Sequence, residues 1–156
     1  MNSSVNSSLN PLTAIGAIDG RYRAKTEALA PIFSEYGLIR FRVQVECEWF
    51  AALAALSGVS ELPPLSAAAG KAVRAVHADF SVTDAERVKA LEATTNHDVK
   101  AVEYFVKERI GRIEGLAPHT EFVHFACTSE DINNLAHALM LKAAREALEP
   151  QMRRLI

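Results

Sequence analysis

Apolar residues recur three or four positions apart along most of the chain. From Phe33 to Leu56 this spacing predicts an amphipathic helix that packs one stripe against a core. The predicted stripe consists of Leu38, Phe41, Val45, Trp49, Leu53 and Leu56. The following ELPPL segment is incompatible with helix, because proline lacks an amide donor and restricts the residue before it. The pattern then predicts a second helix from Ser66 to about Phe80.

Three further helices are predicted in the second half of the chain. Thr83 and Glu86 have the spacing of a capping box, which predicts the start of a third helix that ends at TTNHD, residues 94–98. The fourth helix is expected to bury Val99, Val102, Val106 and Ile110 and to expose Lys100, Glu103, Lys107 and Glu108. No alternating strand pattern is present, so the sequence predicts an all-α fold.

The last predicted helix is the longest. Thr128 and Asp131 again have capping-box spacing, and an apolar stripe continues to the end of the chain. The predicted stripe comprises Ile132, Leu135, Leu139, Ala143, Leu148, Met152 and Leu155. The chain stops at RRLI, in the middle of that stripe and without a capping residue. We therefore expect residues 1–156 to be the front portion of a longer protein.

Composition and charge exclude several classes of function. The chain has 156 residues, 49% of them hydrophobic, and a formal net charge of −2, with no clustered Lys and Arg. Nucleic acid and anionic membranes are therefore not expected as partners. The longest apolar run, WFAALAALSGV, is well short of the roughly 20 residues of a membrane span. The Asn/Ser-rich start lacks a basic signal region and predicts a flexible tail at residues 1–11, and two cysteines suit a reducing, cytoplasmic location.

Cys127 and His124 are one candidate for nucleophilic chemistry, as a thiol with a nearby base. Their helical spacing and the apolar FVHFAC context are more typical of an inert core thiol.

Three polar segments, distant in sequence, carry side chains suited to anions. They are DGRY with Arg21 and Tyr22, TTNHD, and TSEDINN at the start of the last helix. The latter two place hydroxyls, amides or an imidazole at helix N-termini, where the helix dipole favours negative charge. Each segment also has a structural interpretation: a surface turn for DGRY, a hydrogen-bonding helix start for TTNHD, and an N-cap for TSEDINN. Two carboxylates, Asp98 and Asp131, would repel an anion, so they are better suited to orienting donors or capping helices.

The same segments carry a family resemblance. DGRY, FSEYGLIRFRVQVECEW, TTNHDVKAVEYFVKE and EFVHFACTSEDINNLAHALMLK resemble the N-terminal third of the adenylosuccinate lyases, within the fumarase/aspartase superfamily, and the similarity begins near Leu12. The resemblance implies an N-terminal helical domain at 12–118 and the beginning of a central long-helix bundle at 119–156. It also implies a cofactor-free and metal-free homotetramer that eliminates fumarate from adenylosuccinate, giving AMP, and from SAICAR, giving AICAR.

Residue roles follow from the resemblance position by position. Arg21 and Tyr22 would contact the nucleotide, with Arg21 at its phosphate. Asn96, His97 and Asp98 would line the substrate, with His97 as a candidate auxiliary in proton transfer. Thr128 and Ser129 would bind a succinyl carboxylate or nearby polar atoms.

The sequence departs from the family pattern in one respect. The family's downstream histidine segment and its mobile serine loop, which supply the main acid and base, do not occur before Ile156. The family also builds each site from three chains. We therefore expect the main catalytic pair to lie beyond Ile156 and the chain alone to be inactive. The alternative is a non-enzymatic helical module whose exposed C-terminal stripe docks a partner helix.

Overall fold

A computed structural model describes residues 10–156, so most of the tail predicted at 1–11 lies outside the described residues. The described chain is helical and contains no strand, which confirms the all-α prediction. Its α-helices are α1 (Arg23–Thr26), α2 (Ala30–Phe33), α3 (Glu35–Ala54), α4 (Ala67–Ala78), α5 (Val82–Thr95), α6 (Asp98–Ile110) and α7 (Ser129–Arg153), and 3-10 helices span Glu27–Leu29 and Ala117–Phe122.

Helix α3 is buried on two sides. One side, with Val43, Cys47 and Phe50, packs against α4, α5 and α6 in the larger core. The other side, with Phe41 and Val45, packs in a second core against α2, α7 and the start of α6. The prediction of a single buried stripe was therefore wrong, because α3 is buried on two sides. The predicted helix was also too long at its end, since Leu56 lies beyond α3 with 53% of its surface exposed.

The start of α5 differs from the prediction by two residues. Ser81 and Asp84 form the capping box, with the Ser81 amide donating to Asp84 Oδ2 at 2.9 Å and the Asp84 amide donating to Ser81 Oγ at 3.3 Å. The predicted cap, Thr83, already lies inside the helix. Ser81 has the extended backbone that an N-cap requires, with ψ at 170°. Two overlapping Ser/Thr-x-x-Asp/Glu patterns were available, and the earlier one is used.

The predicted buried stripe of α6 is confirmed, because Val99, Val102, Val106 and Ile110 are all at most 1% exposed. The expectation that Glu103 faces solvent was wrong. Glu103 is 4% exposed, and its carboxylate accepts ion pairs from Lys100 at 2.8 Å and Lys107 at 3.1 Å. Lys100 lies one turn before Glu103 and Lys107 one turn after it, and together they neutralise this carboxylate at the edge of the core.

The buried row of α7 differs from the predicted stripe. The buried residues are Ile132, Ala136, Met140 and Ala144, spaced four apart. Of the predicted stripe, Leu139 and Ala143 are partly buried, whereas Leu135, Leu148, Met152 and Leu155 are exposed. Two alanines of the buried row, Ala136 and Ala144, pack in the core shared with α3, whereas most of the leucines lie on the outer faces.

No helix within residues 10–156 is long and apolar enough to cross a membrane. The predicted domain boundary between residues 118 and 119 stays a prediction. Helix α7, which follows this boundary in the sequence, packs directly on α3, which precedes it.

Gly37, in the first turn of α3, provides a test of the close contact with α2. A Cβ atom there would clash with the Ile32 carbonyl oxygen and lie 2.8 Å from that of Pro31. We expect Gly37→Ala to lower the free energy of unfolding by about 1 to 3 kcal/mol, the usual cost of overpacking. The measurement is urea denaturation.

Gly70→Ala in α4 is the matched control. The nearest atom to the added methyl group would be Arg74 Nη1 at 3.9 Å, an ordinary contact. We expect a gain of about 0.5 to 1 kcal/mol from the better helix propensity of alanine. Equal effects at the two positions would contradict the close approach at Gly37.

Candidate functional site

The TTNHD segment forms the junction between α5 and α6. Asn96 ends α5 in the left-handed conformation, with φ at 51° and ψ at 34°, a region that asparagine tolerates better than most residues. His97 is extended and caps α6, because its Nδ1 accepts the Lys100 amide at 3.2 Å. An N–H donates to Nδ1, so that nitrogen carries no proton and the neutral ring carries its proton on Nε2. The His97 side chain is 51% exposed.

Both oxygens of the Asp98 carboxylate have donors. Oδ1 accepts the Val99 amide at 2.8 Å, and Oδ2 pairs with Arg42 Nη2 at 2.7 Å. Partial burial would raise the pKa of Asp98, but the Val99 amide and the Arg42 guanidinium outweigh it and hold the pKa below its ordinary value. Asp98 is therefore an ionised group that anchors the helix start.

The second junction lies at the start of α7. The Thr128 amide donates to Asp131 Oδ2 at 2.7 Å, and its hydroxyl donates to the same oxygen at 3.0 Å. These bonds hold the pKa of Asp131 below its ordinary value. Ser129 is the first residue of the helix and is half-buried. Since Thr128 and Asp131 form the cap, the Ser129 hydroxyl is not needed for it.

The loop before this junction has an unusual backbone and is fastened to α3. His124 and Ala126 both have positive φ, at 63° and 59°. His124 Nδ1 lies 2.6 Å from Glu46 Oε1, and the Trp49 indole N–H donates to the Phe125 carbonyl at 2.9 Å. Positive φ at a non-glycine residue costs energy and persists where surrounding contacts enforce it. Side chains of α3 thus fix the approach of the chain to Thr128.

Arg42 brings the two junctions together. Besides its pair with Asp98, its Nε donates to Asn133 Oδ1 on α7 at 2.9 Å. Ser129 and Asn133 are four residues apart in α7, so their side chains share one face of the helix, with Cβ atoms about 5–6 Å apart. Ser129 therefore lies on the face of α7 that Arg42 ties to the start of α6.

Arg21 and Tyr22 make no hydrogen bond or ion pair with the two junctions in residues 10–156. Both are exposed on the N-terminal turn, and the Arg21 guanidinium carbon lies 5.6 Å from the centre of the Tyr22 ring. The structure thus links the TTNHD and TSEDINN segments through Arg42, whereas no such polar link reaches DGRY.

Sequence reasoning missed the residues that connect the junctions, namely Arg42, Glu46 and Asn133. Glu46 has no exposed side-chain surface, and burial raises its pKa although its hydrogen bond to His124 opposes that effect. The one available signal was charge inside the apolar LIRFRVQVECEW run, because a charged residue within a buried helix requires a partner.

A groove of about 730 Å³ runs between α3 and α7. Its walls are largely apolar, with Trp49, Ile132 and Leu135 among them, and it includes none of the seven predicted site residues. Leu135 of α7, which borders the groove, is 57% exposed. This groove is better suited to helix packing than to an anionic ligand.

Comparison with known proteins agrees with the resemblance found in the motifs. The protein-family model described as Lyase matches residues 20–156. The chain belongs to this lyase family. It is 56% identical over 149 residues to the adenylosuccinate lyase of Escherichia coli K12, and 52% identical over 149 residues to that of Vibrio cholerae. Each alignment covers 95% of this chain and 33% of the relative.

A more distant member, the adenylosuccinate lyase of Dictyostelium discoideum, is 44% identical over 162 residues, covering 100% of this chain and 34% of its own length. The chain thus spans about a third of the curated lyases that it matches. Both connected junctions lie inside the segment matched by the family model.

Cys127 does not have the properties of a nucleophile. It lies in the irregular loop between Phe122 and Ser129, so the helical spacing inferred from sequence was wrong. Burial, with the negative charges of Glu46 and Asp131, raises the pKa of Cys127 to about 11. The thiolate is the reactive form, and at this pKa only about one thiol in a thousand is ionised at pH 8.

We expect alkylation of Cys127 by iodoacetamide at pH 8 to be roughly 100-fold slower than that of an ordinary cysteine, because the thiolate is scarce. The rate should rise about tenfold per pH unit up to pH 10. Mass spectrometry of the labelled peptide gives the rate, and the same protein unfolded in guanidinium is the control. A rate in the folded protein that matches the unfolded control, or that is constant above pH 9, would contradict the raised pKa.

Proposed function

We propose that this chain is the N-terminal part of a lyase that eliminates fumarate from adenylosuccinate, giving AMP, and from SAICAR, giving AICAR. The observation that carries the proposal is the connection of two anion-suited helix starts through Arg42, in a chain 56% identical to a bacterial adenylosuccinate lyase. Such substrates carry a phosphate and two carboxylates. Helix N-termini with free hydroxyl and imidazole donors are suited to these groups.

The first junction contributes a hydrogen-bond donor in this proposal. Because Nδ1 of His97 is occupied by the Lys100 amide, the exposed edge of the ring offers Nε2–H to the substrate. Asn96 adds an exposed amide beside it. Asp98, whose two oxygens already accept bonds, orients this helix start.

The second junction contributes a carboxylate site. The hydroxyl of Ser129 and the first amides of the 25-residue helix α7 would bind the succinyl group or nearby polar atoms, next to the cap formed by Thr128. Arg21 and Tyr22 would contact the nucleotide, with the Arg21 guanidinium at its phosphate. No hydrogen bond or ion pair of the described residues joins them to the two junctions, so the bound ligand or a second chain would connect them to the rest of the site.

The proposed enzyme requires more than this chain. Its main acid and base would come from a histidine segment and a serine loop beyond Ile156, so residues 1–156 alone would be inactive. It would be a cytoplasmic homotetramer without a cofactor, acting on neither nucleic acid nor membrane. The exposed apolar side chains of α7, such as Leu135 at 57% and Met152 at 62%, support helix packing in such an assembly. The alternative, a binding module without catalysis, would use the same face but gives no role to the polar junctions.

The test of the function uses the full-length lyase that contains this sequence, followed by the absorbance change of adenylosuccinate and of SAICAR. We expect turnover of both substrates, and a fall in kcat/KM of at least about tenfold in His97→Asn, because the imidazole donor is lost. Asparagine is itself a good N-cap, so thermal stability should stay near that of the wild type.

His97→Ala separates the two roles of this residue. It should show the same kinetic loss together with about 1 kcal/mol of lost stability, because the cap is gone. Absence of turnover in the wild type would contradict the proposed function. Normal kinetics in His97→Asn would restrict His97 to capping.

A second prediction concerns Ser129. In the full-length lyase, Ser129→Ala should weaken fumarate binding by about 1 to 3 kcal/mol, because one buried polar partner loses its hydrogen bond. The melting temperature should change little, since Thr128 and Asp131 supply the cap. Calorimetric titration of fumarate and thermal unfolding measure the two effects. Equal affinities with a lowered melting temperature would mean that Ser129 supports the helix and does not contact the ligand.

A further inference from the structure

Arg42 is an unusual residue for the middle of α3. Only 6% of its side chain is exposed, and its partners come from two other helices. Nε donates to Asn133 Oδ1 on α7 at 2.9 Å, and Nη2 pairs with Asp98 Oδ2 at the start of α6 at 2.7 Å. A single guanidinium thus contacts both candidate junctions.

Association of the three helices does not rest on this charge alone. Val99 follows Asp98, Ile132 precedes Asn133, and each is 1% exposed in the core that also contains Phe41 and Val45. Apolar packing therefore already holds α3, α6 and α7 together at this level. Burying a guanidinium has a desolvation cost, and replacing a whole buried ion pair by apolar side chains of similar volume is often neutral or stabilising. Stability alone therefore gives little reason for a buried ion pair at this position.

The geometry of the guanidinium provides the reason. Its planar fork directs two donors along fixed directions, so two acceptors bound to it have a fixed separation and orientation. One acceptor immediately follows His97, and the other lies one turn after Ser129 on the same face of α7. The fork therefore sets the relative position of the His97 and Ser129 side chains.

We propose that Arg42 is a positioning residue that sets the spacing between the two substrate-binding junctions without contacting the substrate. The inference rests on the proposed function. Lysine at this position has a single ammonium point charge in place of the fork, so it can retain the ion pair with Asp98 but not the fixed geometry of both contacts.

The experiment compares Arg42→Met, Arg42→Lys and Asn133→Ala in the full-length lyase. We expect Arg42→Met to lower kcat/KM for adenylosuccinate at least about tenfold, mainly through KM, because the chemical groups remain but the binding geometry is lost. Arg42→Lys should recover only part of that loss. Asn133→Ala should lower kcat/KM about threefold to tenfold, and adding it to Arg42→Met should cause no further loss, because both act through one contact.

Arg109→Met is the matched control. Arg109 on α6 pairs with Asp84 at the capping box of α5, so the variant also removes an interhelical ion pair. Asp84 is 11 residues from Thr95 at the other end of α5, about 16 Å along the helix. We expect this variant to lose thermal stability without a change of more than about twofold in kcat/KM.

Hydrogen–deuterium exchange provides a readout independent of activity. Arg42→Met should accelerate exchange in peptides covering both 94–102 and 124–134, whereas Arg109→Met should affect neither. Three results would each overturn the positioning role. They are a wild-type kcat/KM in Arg42→Met, a loss of kcat/KM in Arg42→Met equal to that in Arg109→Met, and faster exchange at only one of the two junctions. If Arg42→Met fails to fold, the Lys and Asn133 variants are judged by the same criteria. An inactive wild type contradicts the proposed function separately, and the exchange pattern then decides whether Arg42 couples the junctions.

Discussion

The requirement to satisfy buried charge in α3 determines where the candidate site lies. Helix α3 is covered on two sides, yet it contains Arg42 and Glu46, both at most 5% exposed. An unpaired buried charge is very costly, so segments with complementary groups must pack at these points. Arg42 takes Asp98 and Asn133, and Glu46 takes His124. The starts of α6 and α7 are consequently fixed to one helix and to each other, although 30 residues separate them in sequence.

The sequence was sufficient for features that depend on local periodicity. The existence of α3 to α7 could be predicted because apolar spacing and capping residues act within a few positions. The same locality explains the error at α5, since Ser81/Asp84 and Thr83/Glu86 overlap and only the preceding backbone selects between them. Which face of α7 is buried depends on the neighbouring helix. Hydrophobicity favoured the leucines over the row that contains Ala136 and Ala144, which packs in the core shared with α3.

The candidate site was predictable in composition but not in arrangement. The TTNHD and TSEDINN segments stand out as polar junctions, and both now lie at helix starts that share Arg42. The link through Arg42 was not predictable. The segment contains two arginines, Arg40 and Arg42, and two glutamates, Glu46 and Glu48, and the sequence does not indicate which one of each pair is buried. In the structure, the buried ones are Arg42 and Glu46. Burial of a particular charge depends on contacts with residues far along the chain, about which local patterns carry no information.

Capping and ligand binding are not alternatives at His97, because the cap determines what the ring can do for a ligand. With Nδ1 accepting the Lys100 amide, the only basic nitrogen of the neutral ring is already occupied. Taking a proton at Nδ1 would break the cap, and releasing the proton from Nε2 would create an anionic imidazolate. The cap therefore holds the ring in one orientation and leaves Nε2–H as its available donor.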